Sequence, residues 1–278
     1  MKKSLVTAVC MTGAVALAAA ASAGPAHATP AADHSPTAAA ARADIHAPGE
    51  AYAGWKTAGT QPLTRSVAPA LASGQTLGID VSSHQGNVDW ASQWSAGVKW
   101  AYTKATEGTS YTNPYFSQQY SGSYNVGMIR GAYHFALPDA SSGAAQADHF
   151  VSHGGGWSKD GKTLPGMLDM EYNPYGSTCY GKSASGMVSW IKSFLTEYKA
   201  KTGRDAVIYT STSWWSQCTG NSGAFTSTNP LWVARYATSP GTLPGGWPYY
   251  TIWQYTSSPI DKDWFNGDIT RVKALAVG

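Results

Sequence analysis

The residues best suited to chemistry lie in the run GMLDMEYN, where Asp169 and Glu171 interrupt an otherwise apolar segment. Side chains on a strand alternate between faces. This spacing therefore puts both carboxyls on one side and Leu168 and Met170 on the other. Two carboxyls so placed raise each other's cost of ionising, and one of them can hold a proton near neutral pH. A protonated acid beside an anionic neighbour is what general-acid bond cleavage with charge stabilisation requires. A third acid, Asp80, follows Leu-Gly-Ile in another apolar run. Tyr133, Tyr172, Tyr209, Trp253 and Tyr255 lie in or beside similar runs, and such rings suit the C–H faces of a carbohydrate in a cleft. Each feature has a plainer reading. A strand Asp is often a structural acceptor, Asp-x-Glu alone is a weak motif, and most tryptophans are core.

Other chemistries find less support. His84 and His134 could join Asp80 around a metal, but no HxH or HExxH spacing accompanies them, so they read as structural or substrate-contacting. Ser82 and Ser83 lack a G-x-S-x-G setting, which argues against a serine hydrolase. Gly154-Gly155-Gly156 has neither the strand–helix context nor the lysine of a phosphate loop, and reads as a turn. Net charge is +3 and no Lys/Arg run exceeds Lys2-Lys3, so no nucleic-acid partner is expected.

These groups need a scaffold, and the chain supplies one from Leu77 onward. LGIDV, VKWAYTKA, GMIRGAYHF, GMLDME, AVIYTS, LWVARY and YTIWQY are short, β-branched or aromatic, and bounded by turn residues, so they read as strands. Residues 113–124, 142–151 and 183–201 suit helices. Ser183 is an N-cap for the third and Gly203 its stop. Met187, Ile191, Phe194, Leu195 and Tyr198 recur at helical spacing and give that helix one apolar face. Strand–helix alternation favours a parallel sheet with helical crossovers. Helix signals weaken in the last third, which predicts an irregular barrel. In such barrels active groups collect at the carboxyl ends of the strands. With 13% charged and 12% aromatic residues among 278, neither wholesale disorder nor a coiled coil fits.

The N-terminal part has a different texture. Residues 1–28 carry Lys2-Lys3, an apolar run from Leu5, and Ala26-His27-Ala28 as a cleavage site, with Ala21-Ser22-Ala23 as a second candidate. This reads as a secretory signal peptide; the rival is a membrane anchor, for which the run is short. Export would leave Cys179 and Cys218 in an oxidising compartment, where they are expected to pair. A closed loop of that size is worth roughly 3–4 kcal/mol. Two buried free thiols are the alternative. Residues 29–75, rich in Ala, Pro, Thr and Ser, read as a disordered pro-segment or linker, with Tyr52 and Trp55 as possible docking points.

The runs GIDVSSHQGNVDW, YTKATEGTSYTNPYF, GAYHF, LDMEYN, IYTS, LWVARY, IWQYT and DKDWFNGD, in that order, resemble glycoside hydrolase family 25, the Chalaropsis-type lysozymes or N-acetylmuramidases. The likeness covers 76–278, which the resemblance marks as one catalytic domain. It implies an α/β fold, an irregular and flattened (β/α) barrel of TIM-barrel type. It implies hydrolysis of the β-1,4 bond between N-acetylmuramic acid and N-acetylglucosamine in peptidoglycan. Glu171 then matches the proton donor and Asp169 its neighbouring carboxylate. Asp80 matches the acid of the opening motif, and Asp261 the late acid, although Asp263 competes for that assignment. Tyr133, Tyr172, Tyr209 and Gln254 fall at positions resembling the sugar-contacting rim. No metal or organic cofactor is implied. The expected protein is a secreted, extracellular monomer whose partner is the peptidoglycan glycan strand, with no membrane contact once the signal is cleaved. A non-catalytic wall-binding module on the same fold and a chitinase-like hydrolase are the rival readings. The second lacks the longer D-x-x-D-x-D-x-E run, because no acid lies between Asp160 and Asp169.

Overall fold

Glycine and aromatic residues decide how the strands close. In the computed structural model, which describes residues 47–56 and 74–278, a Cβ on Gly78 would lie 2.1 Å from the Trp100 ring, and one on Gly131 would lie 2.4 Å from the Tyr102 ring. The two glycines clear room for large rings inside a ring of strands. The strands are β1 (Thr76–Val81), β2 (Trp100–Glu107), β3 (Tyr111–Thr112), β4 (Ile129–Phe135), β5 (Met167–Asp169), β6 (Val207–Thr210), β7 (Leu231–Ala234), β8 (Ile252–Thr256) and β9 (Asp261–Phe265). Their order is β1-β9-β8-β7-β6-β5-β4-β2, β1 also pairs with β2, and β3 is a short antiparallel addition to β2. The result is a closed α/β barrel. Within the ring all neighbours are parallel except β9, which runs antiparallel to both β8 and β1.

All seven expected strands form. The closing strand β9 was absent from the sequence reading, and it is what makes the barrel mixed. The helices are α1 (Trp90–Ser95), α2 (Phe116–Asn125), α3 (Gly143–Phe150), α4 (Ala184–Thr202), α5 (Thr212–Thr219) and α6 (Ile269–Val277). Ser183 caps α4 by accepting from the Gly186 N–H, and Gly203 ends it in the left-handed conformation. The expected irregularity lies in the last third. Only a short 3-10 turn (Pro244–Gly246) sits between β7 and β8, and β8 returns directly through β9.

Two apolar layers result from strand alternation. Inside the barrel, Trp100, Tyr102, Met167, Val207, Trp232, Ile252 and Phe265 pack together, with Val272 and Ala276 of α6 closing one end. β2 and β7 stand opposite each other in the ring, so the 5.1 Å between the Tyr102 and Trp232 ring centres spans the interior. Outside, Leu168, Met170, Ile208, Leu231, Val233, Trp253 and Trp264 pack with the buried face of α4. Cys179 and Cys218 are joined by a disulfide that ties the loop before α4 to α5.

The proposed signal peptide, residues 1–28, lies outside the described residues. Of the segment 29–75, residues 47–56 and 74–75 are described, and 47–56 are hydrogen-bonded to the barrel, unlike the disordered linker expected there. No helix among the described residues is long and apolar enough to cross a membrane.

Candidate active site

The strands β1, β5 and β8 bring Asp80, Asp169 and Gln254 to the mouth of the barrel. β9 brings Asp261 and Asp263. Asp80 pairs directly with Asp261 in the β1–β9 register, and Gly78 with Asp263, so the three acids meet on adjacent strands. Glu171 lies two residues past Asp169, just beyond the end of β5. All five carboxyls are buried. Register shifts in β2 between Lys104 and Thr106, and in β8 between Gln254 and Thr256, fall at the same level. Bulges of this kind re-aim side chains at a barrel rim.

Gln254 organises one wall. Its Nε2 donates to Asp80 Oδ2 at 2.8 Å, and its Oε1 accepts from Tyr209 Oη at 2.7 Å. Tyr236 Oη is 3.0 Å from the same Oε1. The opposite wall holds a fully buried ion pair, Lys104 Nζ to Glu107 Oε2 at 2.6 Å. Burial pulls the Lys104 ammonium below its ordinary value, and the Glu107 charge resists.

The carboxyls are short of donors. Asp80 Oδ1, both oxygens of Asp169, Glu171 Oε2, Asp261 Oδ1 and Asp263 Oδ2 are buried and receive no hydrogen bond from an amide, hydroxyl or ring N–H. Glu171 Oε1 accepts from the Gly54 N–H at 2.8 Å. Asp169 and Glu171 are within hydrogen-bonding reach of each other, as are Asp80 and Asp263; two carboxyls can bond only when one carries a proton. Burial, then the Asp169 charge, pushes Glu171 well above the usual carboxylate range. Burial, then the Asp80 charge, does the same for Asp169, Asp261 and Asp263. Burial raises Asp80 itself to about 7, against the hydrogen bond from Gln254. The cluster is thus an acid store: it keeps protons at pH values where exposed carboxyls have lost them.

Residues 79–264 match the family model described as glycosyl hydrolases family 25. The chain belongs to that family. It is a glycoside hydrolase. This family 25 member is 50% identical over 242 residues to lysozyme M1 of Streptomyces globisporus, with 82% of each chain covered. It is 54% identical over 208 residues to the N,O-diacetylmuramidase of Chalaropsis sp., covering 72% of this chain and 99% of that one. The solved muramidase of Acremonium alcalophilum superposes with a TM-score of 0.72 at 57% identity, covering 73% of this chain and 99% of that one. The match to lysozyme M1 takes in 82% of 278 residues, so it begins no later than about residue 51 and includes part of the 47–56 segment.

Sequence reasoning placed Asp80, Asp169, Glu171, Asp261, Tyr133, Tyr209 and Gln254 together, and all point into the barrel mouth. Tyr172 is at the rim, half-buried, with its hydroxyl donating to Ser213 Oγ at 2.9 Å. Trp253 and Tyr255 are corrections. With Gln254 pointing inward, alternation turns both outward, where Trp253 Nε1 donates to Arg235 O and Tyr255 stacks on Trp264. His134 is structural. Gln146 Oε1 accepts from its Nε2 at 2.9 Å while its Nδ1 takes the Thr106 hydroxyl at 2.8 Å, and burial lowers its pKa to about 3. Residues missed outright are Lys104, Glu107 and Tyr236. Asp263, earlier left as a competitor of Asp261, belongs to the same cluster and accepts from Trp232 Nε1 at 3.1 Å.

Proposed function

We propose that this protein is a secreted muramidase that cleaves the β-1,4 bond between N-acetylmuramic acid and N-acetylglucosamine of peptidoglycan. The observation that carries this reading is Glu171 beside Asp169 at the barrel mouth, buried, with burial and then the Asp169 charge raising its hold on a proton. Glu171 gives its proton to the glycosidic oxygen as the C1–O bond breaks and the bonding pair leaves with oxygen. Asp169 carries negative charge beside the oxocarbenium-like centre, or orients the substrate N-acetyl group toward it. Water then adds at C1, and its proton returns to Glu171. Asp80, Asp261 and Asp263 set the field around the reacting sugar. Tyr133, Tyr209 and Gln254 offer hydroxyl and amide groups to it, and Tyr172 edges the groove.

The test is lysis of a bacterial wall suspension with mass analysis of the fragments. Reducing-end muramic acid is the expected product, and chito-oligosaccharides would replace this reading with a chitinase. Wall binding without any fragment release, by wild type and by a chain whose 47–56 segment has been displaced, would leave only a binding module.

A further inference from the structure

We propose that residues 47–56 are an intramolecular inhibitor that occupies the sugar groove by imitating an N-acetyl group; the proposal rests on the muramidase reading above. The segment lies across the acid cluster, and its main chain makes the contacts to Glu171 and Gln254. The peptide group joining Ala53 to Gly54 is a secondary amide. Its N–H, from Gly54, donates to Glu171 Oε1 at 2.8 Å, and its C=O, from Ala53, accepts from Gln254 Nε2 at 3.3 Å. An acetamido substituent on a sugar offers the same neighbouring donor and acceptor in the same trans arrangement. On the next residue, the Gly54 carbonyl lies 3.2 Å from Tyr236 Oη.

The anchoring continues on both sides. Upstream, Lys104 Nζ donates to the carbonyls of Gly49 and Ala51, and the Gly49 N–H donates to Glu107 Oε1 at 3.0 Å. This explains a buried ion pair that the bond-cleaving step does not use: it grips the segment. Downstream, Trp55 Nε1 donates to the Tyr172 carbonyl at 3.1 Å.

The fit requires glycine at two places. Gly54 has φ +87°, and a Cβ there would lie 2.2 Å from Tyr236 Oη and 2.4 Å from Gln254 Oε1. Gly49 has φ +98°, and its Cβ would lie 2.1 Å from the Tyr111 ring. Left-handed backbone pressed against a wall leaves no room for any other residue. Two such positions in ten residues mark a segment shaped to this groove. It is also covalently joined to the barrel. A tethered ligand has an effective concentration on the order of mM, so even modest affinity keeps the groove closed until the join is lost.

The experiment compares the full wild-type chain with Gly54→Val, and with Trp55→Ala as a milder second variant. Wall lysis, amide hydrogen exchange over 47–56 and thermal unfolding are read on each. In the wild type the Gly54 amide is expected to be protected. Gly54→Val should lose that protection, keep the unfolding transition of the barrel and lyse walls at least about tenfold faster. Trp55→Ala should fall between the two. A synthetic peptide of sequence Ala47–Lys56, added at about mM concentration, should slow Gly54→Val by raising KM and leaving kcat unchanged. Equal, measurable lysis by wild type and by a Gly54→Val chain that has lost protection would overturn the inhibitor and leave the muramidase reading standing. Absence of lysis in both, with the segment displaced, would defeat the muramidase reading and the inhibitor with it.

Discussion

The floor and the mouth of the barrel are built on the same strands, one or two residues apart, and they obey opposite rules. On the floor, Trp100, Tyr102, Trp232 and Phe265 meet at centroid distances of 5.1 to 6.2 Å, mostly edge to face. Their polar atoms are satisfied: Trp100 Nε1 donates to Thr76 O, and Tyr102 Oη to Pro165 O. At the mouth, equally buried carboxyls each keep at least one oxygen without a donor, and their charges oppose one another. A fold selected for stability alone would not keep them. The floor therefore supplies the stability that the mouth gives up for proton storage, and the difference separates the residues that hold the barrel from those that work in it.

Changes in each half should read differently. Trp232→Ala at the floor should cost about 3–5 kcal/mol of stability, measured as the urea midpoint, since it empties the centre of the aromatic cluster and strips Asp263 of its donor. Glu171→Gln at the mouth should leave the midpoint nearly unchanged or higher and lower wall lysis by at least about 100-fold while wall binding persists. Lysis at the wild-type rate would remove Glu171 from the acid role.

Stability against pH sharpens the contrast. A carboxyl raised by folding is more protonated in the native state than in the unfolded one. Its contribution is complete below the ordinary carboxylate value and is lost as pH rises toward the raised one. For Asp80 that window runs from 3.8 to about 7. The wild-type melting temperature should fall across it, and Asp80→Asn should flatten the slope; identical slopes would show that the Asp80 carboxyl titrates normally. The smallest effect is expected at Trp253→Phe, which loses one hydrogen bond to Arg235 O on the outer layer: about 1 kcal/mol of stability, with lysis rate and KM unchanged. A raised KM would return Trp253 to the groove.

Much of this was legible because it is written in side chains. The seven parallel strands are runs of β-branched and aromatic residues, and Asp-x-Glu stands out against them. Strand β9 was missed because DKDWF reads as polar: two of its five residues are acids serving the site and a third is lysine. The Lys104–Glu107 pair was missed for a related reason. Buried charges look like surface residues until a bulge and a partner three residues away are known. The alternation that groups Asp169 with Glu171 also turns Trp253 and Tyr255 outward from Gln254. The 47–56 segment was only partly readable, for a deeper cause. Tyr52 and Trp55 were legible as docking points, and both rings do touch the barrel, but the contacts to Glu171, Gln254 and Lys104 use main-chain amides, which every residue carries, so composition says nothing about them.

The antiparallel return of β9 has a consequence for biosynthesis. Between β8 and β1 the ring is joined only through β9, which follows the other eight described strands in the chain. A nascent chain that stops before Asp261 has two unpaired sheet edges and an open seam down its side. It also carries Asp169 and Glu171 without two of the acids that surround them. Neither a sealed ring nor a complete acid cluster exists until β9 has been made, so the two arise together.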